Sequence, residues 1–413
     1  VLDLVVRNAI LADRPGAGAV DIGISAGRIV ALAPRLAEGR AGAVHDAGGR
    51  LVCAGLIETH IHLDKSRIID RCAPQSRHEL SPVKGIAPLK PAMTTEDVYQ
   101  RAARTLEQAV CHGTTRMRTQ VEVDPGIGLR GLEAVQALAT NYRWVIDIEL
   151  CVFPQEGLTN YPGADALLVE ALKRGGIKAI GGAPRYDSDP VGQIERIFEL
   201  AREYDLDIDM HLDVGNTTKH MNIHRVRELT ERYGRGGRVV AGHMAKLSLM
   251  PPTEAAALAR SLADAGIAVT VLPATDLFLM GRDQDHGVRR GVADANLLLA
   301  EGVNCSLSSN NILNPATPYG DCSLLRMANL YANVIQLDRP EALRECFRML
   351  TDRSARLMNL ADYGLEVGKP ADMVVIAAQS PEQAVAEIAQ PVAAFKNGKQ
   401  TVAWPLPELI RQG

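Results

Sequence analysis

The chain has ten histidines, and four of them fall where short apolar runs end or nearly end. His60 and His62 follow the run at 51–58 and are separated only by Ile61. On an extended strand, residues i and i+2 share a face, so both imidazoles can point the same way. His211 lies in the run at 208–214, and His243 near the end of the run at 239–244. A lone histidine is more often a hydrogen-bonded core residue than a ligand. Four at equivalent strand ends read jointly as a metal site. Imidazole and carboxylate ligands suit zinc, iron or manganese, and residue type alone does not choose among them.

A barrel is the framework that would bring such strand ends together. Eight apolar runs occur at 51–58, 114–121, 145–153, 177–183, 208–214, 239–244, 268–272 and 303–307. Amphipathic stretches at 95–110, 191–204, 252–265 and 289–301 separate several of them, the pattern of a parallel sheet with helical crossovers. Neither a dinucleotide-binding glycine fingerprint nor a P-loop is present, which argues against an open nucleotide-binding sheet. The expected fold is a (β/α)₈ TIM-type barrel over 55–358. Segments 1–54 and 359–413, both rich in short alternating runs, should form one small composite β-sandwich. The proline-containing segment 71–92 follows the first strand and is expected to cover the barrel mouth, where such enzymes place their chemistry.

Bulk composition narrows the function classes. Apolar residues make up 46% of the 413 positions and charged residues 23%, as in a globular protein with a large core. The 45 basic and 49 acidic side chains nearly cancel, so no phosphate-tracking surface and no nucleic-acid partner are expected. The seven cysteines form no C-x-x-C pair, and their odd number argues against a disulfide framework. The first residues lack a signal-peptide layout, and no run is long enough to span a membrane. A cytoplasmic enzyme acting on a small molecule is expected, with pairing into a homo-oligomer left open.

Glu58-Thr59-His60-Ile61-His62-Leu63-Asp64-Lys65 resembles the first-strand motif of the amidohydrolase superfamily. Phe153-Pro154-Gln155-Glu156-Gly157, His211-Leu212-Asp213, Gly242-His243-Met244 and Arg289-Arg290-Gly291 are similar to its cytosine deaminase branch. So are Asn311-Ile312 with Pro315 and Pro318-Tyr319-Gly320, and the return segment from Gly364 to Asp372. The resemblance implies one divalent metal ion, zinc or iron, on His60, His62 and His211. It implies that metal-activated water attacks an sp² carbon bearing nitrogen, in a small cyclic amide, amidine or aminated heterocycle. It gives His243 a role in holding that water, and has Gln155 bind an amide edge of the substrate.

Two positions depart from the resemblance. Val214 stands where the branch has a proton-shuttling glutamate, and Asn310 where the superfamily has a catalytic aspartate. An amide cannot act as a carboxylate base, and loss of a general base costs about 10²–10⁴ in rate. Three readings follow: a different C–N hydrolysis with Asp213, Asp64 or the substrate moving protons, a ligand-binding homologue without catalysis, or an engineered Asn310. The first is favoured because all four histidines and Gln155 persist.

Other residues carry smaller expectations. Asp64 and Lys65 either orient an imidazole or form a surface ion pair. Asp276 and Asp283 are candidates to reach the pocket. Lys178 is expected to be structural or exposed, with no second metal, and His220, His224 and His286 to lie on surfaces. Cys305 is expected to be a core thiol.

Overall fold

The computed structural model describes residues 2–36, 41–74, 81–289 and 291–410. Residues 75–80 of the mouth segment and Arg290 of the Arg289-Arg290-Gly291 motif lie outside them. The chain opens with strands β1 (Leu2–Leu11), β2 (Val20–Ser25), β3 (Arg28–Ala33), β4 (Ala41–Asp46) and β5 (Leu51–Ala54). Eight further strands follow: β6 (Leu56–Ile61), β7 (Thr114–Glu122), β8 (Asp147–Phe153), β9 (Ala179–Ile180), β10 (Asp207–Leu212), β11 (Val239–His243), β12 (Ile267–Val271) and β13 (Cys305–Leu307). Three more end the chain, β14 (Met373–Ile376), β15 (Pro391–Lys396) and β16 (Lys399–Ala403).

Strands β6 to β13 pair in sequence order and in parallel. Between them lie helices such as Thr95–Cys111, Arg130–Asn141, Pro190–Glu203 and Pro252–Asp264. The sheet closes on itself where the candidate site lies. His62 N donates to Asn310 O at 2.8 Å, and Asn310 N donates to His60 O at 3.0 Å. This is the expected (β/α)₈ barrel. The helices start on local signals: the Thr94 hydroxyl accepts from Asp97 N, and the Asp189 carboxylate accepts from Gly192 N. Their apolar faces, including Leu106, Leu132 and Ile197, are buried against the strands.

The two ends of the chain build the second sheet together, in the order β16-β15-β14-β5-β1-β2-β3, with β4 also pairing β1. Leu4, Val6, Ile22, Ile24, Val52, Met373, Val375 and Phe395 form its core. The run at 51–58 is therefore two strands, not one. Gly55 divides them: a Cβ there would sit 1.9 Å from Thr115 Oγ1, so only glycine lets the chain pass from one sheet to the other.

Two other sequence expectations change. The run at 177–183 supplies only Ala179–Ile180 as strand. A Cβ at Gly181 would lie 2.2 Å from Asp209 O, so the backbones already touch there. The stretch at 289–301 is helical only over Ala295–Ala300, because the Asp294 side chain accepts from Leu297 N and sets the start. In the mouth segment, a short helix (Val83–Ile86) and a 3₁₀ turn (Ala87–Ala92) hold Pro82, Val83 and Ile86 against the recess above the barrel. Among the described residues no helix is long and apolar enough to cross a membrane.

Candidate functional site

Side-chain alternation on the strands decides what faces the barrel axis. On β6 the inward set includes His60, and His62 follows it two residues on. On β10, Asp207, Asp209 and His211 share a face. The three imidazoles meet: His60 Nε2 is 3.1 Å from His211 Nε2, and His62 Nε2 is 3.0 Å from the same atom. They are the one group among the described residues whose geometry could hold a metal ion.

Three features suit such an ion. Burial lowers the basicity of all three imidazoles, and neighbouring histidines lower that of His62 and His211 further, so their lone pairs are available. Converging Nε2 atoms cannot satisfy one another by hydrogen bonding alone, since a neutral imidazole has one donor and one acceptor. The spacings approach the roughly 3.3 Å between ligands implied by tetrahedral Zn–N bonds of about 2.0–2.1 Å. The Nδ1 atoms of His62 and His211 have no hydrogen-bond partner among the described residues. His60 Nδ1, by contrast, lies 3.1 Å from Asp209 Oδ1. The Phe153 ring stacks on His211 with centroids 4.7 Å apart and fixes its plane.

His243 ends β11 with a left-handed backbone (φ 74°), and Met244 after it is also left-handed (φ 57°). A non-glycine residue in that region carries strain of about 1–3 kcal/mol, held here by the surrounding fold. The bend brings the His243 ring to 5.7 Å from His211, centroid to centroid. Its Nδ1 is 2.6 Å from Asp276 Oδ1, which leaves Nε2 for the recess that His243 lines.

That recess is partly open to solvent. Lys65, Gln155, Val214 and Asn310 line it together with His62, His211 and His243. Gln155 Oε1 accepts from Lys65 Nζ at 2.7 Å, so the Gln155 amide N–H₂ is left for a ligand. Asn310, also left-handed (φ 61°), is buried, and neither side-chain amide atom has a partner among the described residues.

The remaining candidates separate. Lys65 is not a surface residue: it is buried, with Nζ 2.6 Å from Glu122 Oε1. Asp64 accepts from the backbone amides of Lys65 and Glu122, and burial, then the Glu122 charge, pushes its carboxyl up to about 6. Asp213 lines the recess, yet its oxygens accept from Asn222 N and Ile223 N at the start of helix Ile223–Arg232. Backbone amides thus occupy part of each carboxylate. Asp276 reaches His243 instead of lining the recess, and Asp283 is exposed and lies apart from it. Lys178, His220, His224 and His286 are exposed, and Cys305 is buried.

Sequence reasoning missed Asp209, Arg118 and the lysine at 90. Asp209 was readable, because it precedes His211 by two residues on one strand. Lys90, from the mouth segment, is buried among Glu122 at 2.7 Å, Asp124 at 2.6 Å and Glu156. Burial opposes its charge, but those carboxylates outweigh it and hold the ammonium above its ordinary range.

Comparison with known proteins agrees with this arrangement. A family model described as the amidohydrolase family matches residues 76–402. N-isopropylammelide isopropyl amidohydrolase of Pseudomonas sp. (strain ADP) is 28% identical over 96% of this chain and 96% of its own length. Pterin deaminase of Rhizobium rhizogenes is 26% identical over 78% of this chain and 74% of its own. The crystal structure of 5-methylcytosine deaminase from Klebsiella pneumoniae liganded with phosphonocytosine superposes with a TM-score of 0.92 at 27% identity. That match covers 98% of this chain and 100% of the other.

Proposed function

The chain belongs to the amidohydrolase family, and from that premise we propose that it hydrolyses a C–N bond of a small nitrogen heterocycle. The substrate class is a cyclic amide, a cyclic amidine or an aminated ring. His60, His62 and His211 would hold one divalent ion, zinc or iron. Such an ion lowers the pKa of water and so supplies a nucleophile near neutral pH.

The chain's own residues do the rest. Gln155, held through its oxygen by Lys65, presents N–H groups to a ring carbonyl or ring nitrogen. Asn310 offers a buried donor and a buried acceptor to the same ligand. Val214 supplies only wall. Proton movement falls to His243, whose Nδ1–H donates to Asp276 and whose Nε2 accepts a proton and returns it to the leaving nitrogen. The names of the relatives support this class, each being a hydrolase or deaminase of a nitrogen heterocycle.

The observation that carries the reading is the convergence of three imidazole Nε2 atoms, two of them on buried histidines, beside the His243–Asp276 pair. Elemental analysis of the purified protein, with an assay for ammonia or amine release from aminated pyrimidines, pterins and N-alkylamino-triazines, tests it. Protein without a transition metal would sink the reading.

One observation favours a second reading, a metal-binding homologue that binds ligand without turnover. The sole carboxylate among the described residues lining the recess is Asp213, and it caps a helix. Ligand binding by metal-replete protein with no turnover of any of those compounds would favour it.

A further inference from the structure

The barrel interior below the three histidines is charged. A barrel of this type is ordinarily filled by layers of branched apolar side chains. Here Arg118 on β7 is almost wholly buried, at 1% exposure. Its Nη2 lies 3.1 Å from Glu149 Oε2 and 3.7 Å from Asp207 Oδ2, toward the lower end of the barrel. Its Nη1 lies 3.5 Å from Asp209 Oδ2, toward the site. Neither Nη1 nor that oxygen has a hydrogen-bond partner among the described residues, so the contact between them is an ion pair without a hydrogen bond. Asp209 Oδ1 then meets His60 Nδ1 at 3.1 Å.

His60 Nδ1 has a second neighbour, Gln120 Nε2 at 3.2 Å. A carboxylate only accepts, so Asp209 requires the proton on Nδ1 and leaves Nε2 bare. Gln120 does not decide the tautomer, because its Oε1 has no hydrogen-bond partner among the described residues and the amide turned over would accept from Nδ1–H. A carboxylate this deep is costly to retain unless a cation offsets it. Arg118 is that cation.

We propose that Arg118 is a positioning residue for the metal site: its ion pair with Asp209 fixes His60 in the tautomer whose Nε2 can ligate. The inference rests on the reading of His60, His62 and His211 as metal ligands. It assigns Arg118 no contact with substrate or metal.

The test titrates the full chain, loaded with Zn²⁺, with chelators of graded strength. Failure of the underlying reading shows at once, as wild-type protein that retains no Zn²⁺ or a His60→Ala variant that retains it equally well. Given wild-type retention, Asp209→Asn and Arg118→Met should each weaken Zn²⁺ binding about 10–100-fold, the usual effect of losing a group that orients a ligand. The double variant should bind as Asp209→Asn does, with no further loss, because Arg118 acts through Asp209. Arg118→Lys, which restores a cation, should recover most of the affinity. Folded Arg118→Met with wild-type affinity overturns the inference, and so does a double variant whose loss is the product of the single losses. If Arg118→Met yields no folded protein, the double variant, which buries neither charge, decides by the same comparison with Asp209→Asn.

Discussion

His243 and Asp276 form a buried pair, with Nδ1 2.6 Å from Oδ1, and the second Asp276 oxygen has no hydrogen-bond partner among the described residues. The carboxylate therefore acts on the histidine and on nothing else nearby. Asp213 is the sole carboxylate among the described residues lining the recess, and backbone amides hold it, so this pair is the proposed proton-handling group. Asp276→Asn should lower kcat by about 10²-fold or more while the protein keeps its metal, since a positioned acid–base group contributes about 10²–10⁴. Steady-state rates and metal content measured on the same preparation check this.

Removing the metal should abolish hydrolysis, and restoring it should recover the activity. His62→Ala and His211→Ala should each lose the ion, because three ligands are the minimum the site offers. Elemental analysis after dialysis against chelator gives the result directly, and a variant with full metal content contradicts the ligand assignment.

Asn310→Asp tests the missing carboxylate. Asn310 is buried in the recess with both amide atoms unpartnered among the described residues, so an aspartate fits the space without breaking a hydrogen bond. The added charge should tighten metal binding and raise ammonia release from aminated pyrimidines by about 10-fold or more, within the range a general base supplies. A fall in that rate would show that the amide itself serves the reaction.

Lys90 is the bolt between the mouth segment and the barrel. Lys90→Met would leave Glu122, Asp124 and Glu156 crowded without their shared cation. Breaking a buried ion pair from one side costs about 3–5 kcal/mol. Chemical denaturation should show a loss of that order, and a loss below 1 kcal/mol would mean the cluster relaxes freely.

The same cluster predicts an acid response. Burial alone would raise the Glu122 carboxyl, but Lys65 and Lys90 bring it down to about 2 from an ordinary 4.5. A carboxyl held low in the folded state adds stability that is complete above its unfolded value and disappears as pH falls through its folded value. In a background carrying Asp64→Asn, which removes the carboxyl that the Glu122 charge pushes up, the stability difference between the Glu122 protein and Glu122→Gln should therefore be constant from neutral pH to about 5. It should shrink between about 4.5 and 2. Denaturation midpoints of the two proteins across that range give the slope, and a difference that grows on acidification contradicts the assignment.

The sequence revealed what strand periodicity and strand ends encode. His60, His62, His211 and His243 were legible because alternation on parallel strands sends them to one level of one barrel. Their supporting charges were less so. Arg118 and Asp209 are ordinary strand residues until β7 and β10 are known to face each other across the axis. Lys90 sits in a proline-containing loop whose path no periodicity describes. The surroundings of Asp64 and Asp213 were illegible for a related reason. Each follows a histidine in sequence, yet each carboxylate is taken up by backbone amides that only the folded chain brings near. The start of helix Ala295–Ala300 was misplaced because its cap, Asp294, acts through one side-chain hydrogen bond.

The passage of the chain through Gly55 has a consequence for synthesis. Strand β5 ends just before that glycine and pairs with β14, which begins at Met373. During translation β5 is made early and its partner on that edge very late. At about 5–20 residues per second, the interval lasts roughly 15–65 seconds. The whole barrel is polymerised in that time, while one apolar strand edge waits uncovered beside the ribosome. The terminal sheet is thus a closure added last, and the newly made chain depends on whatever protects that edge until its far end arrives.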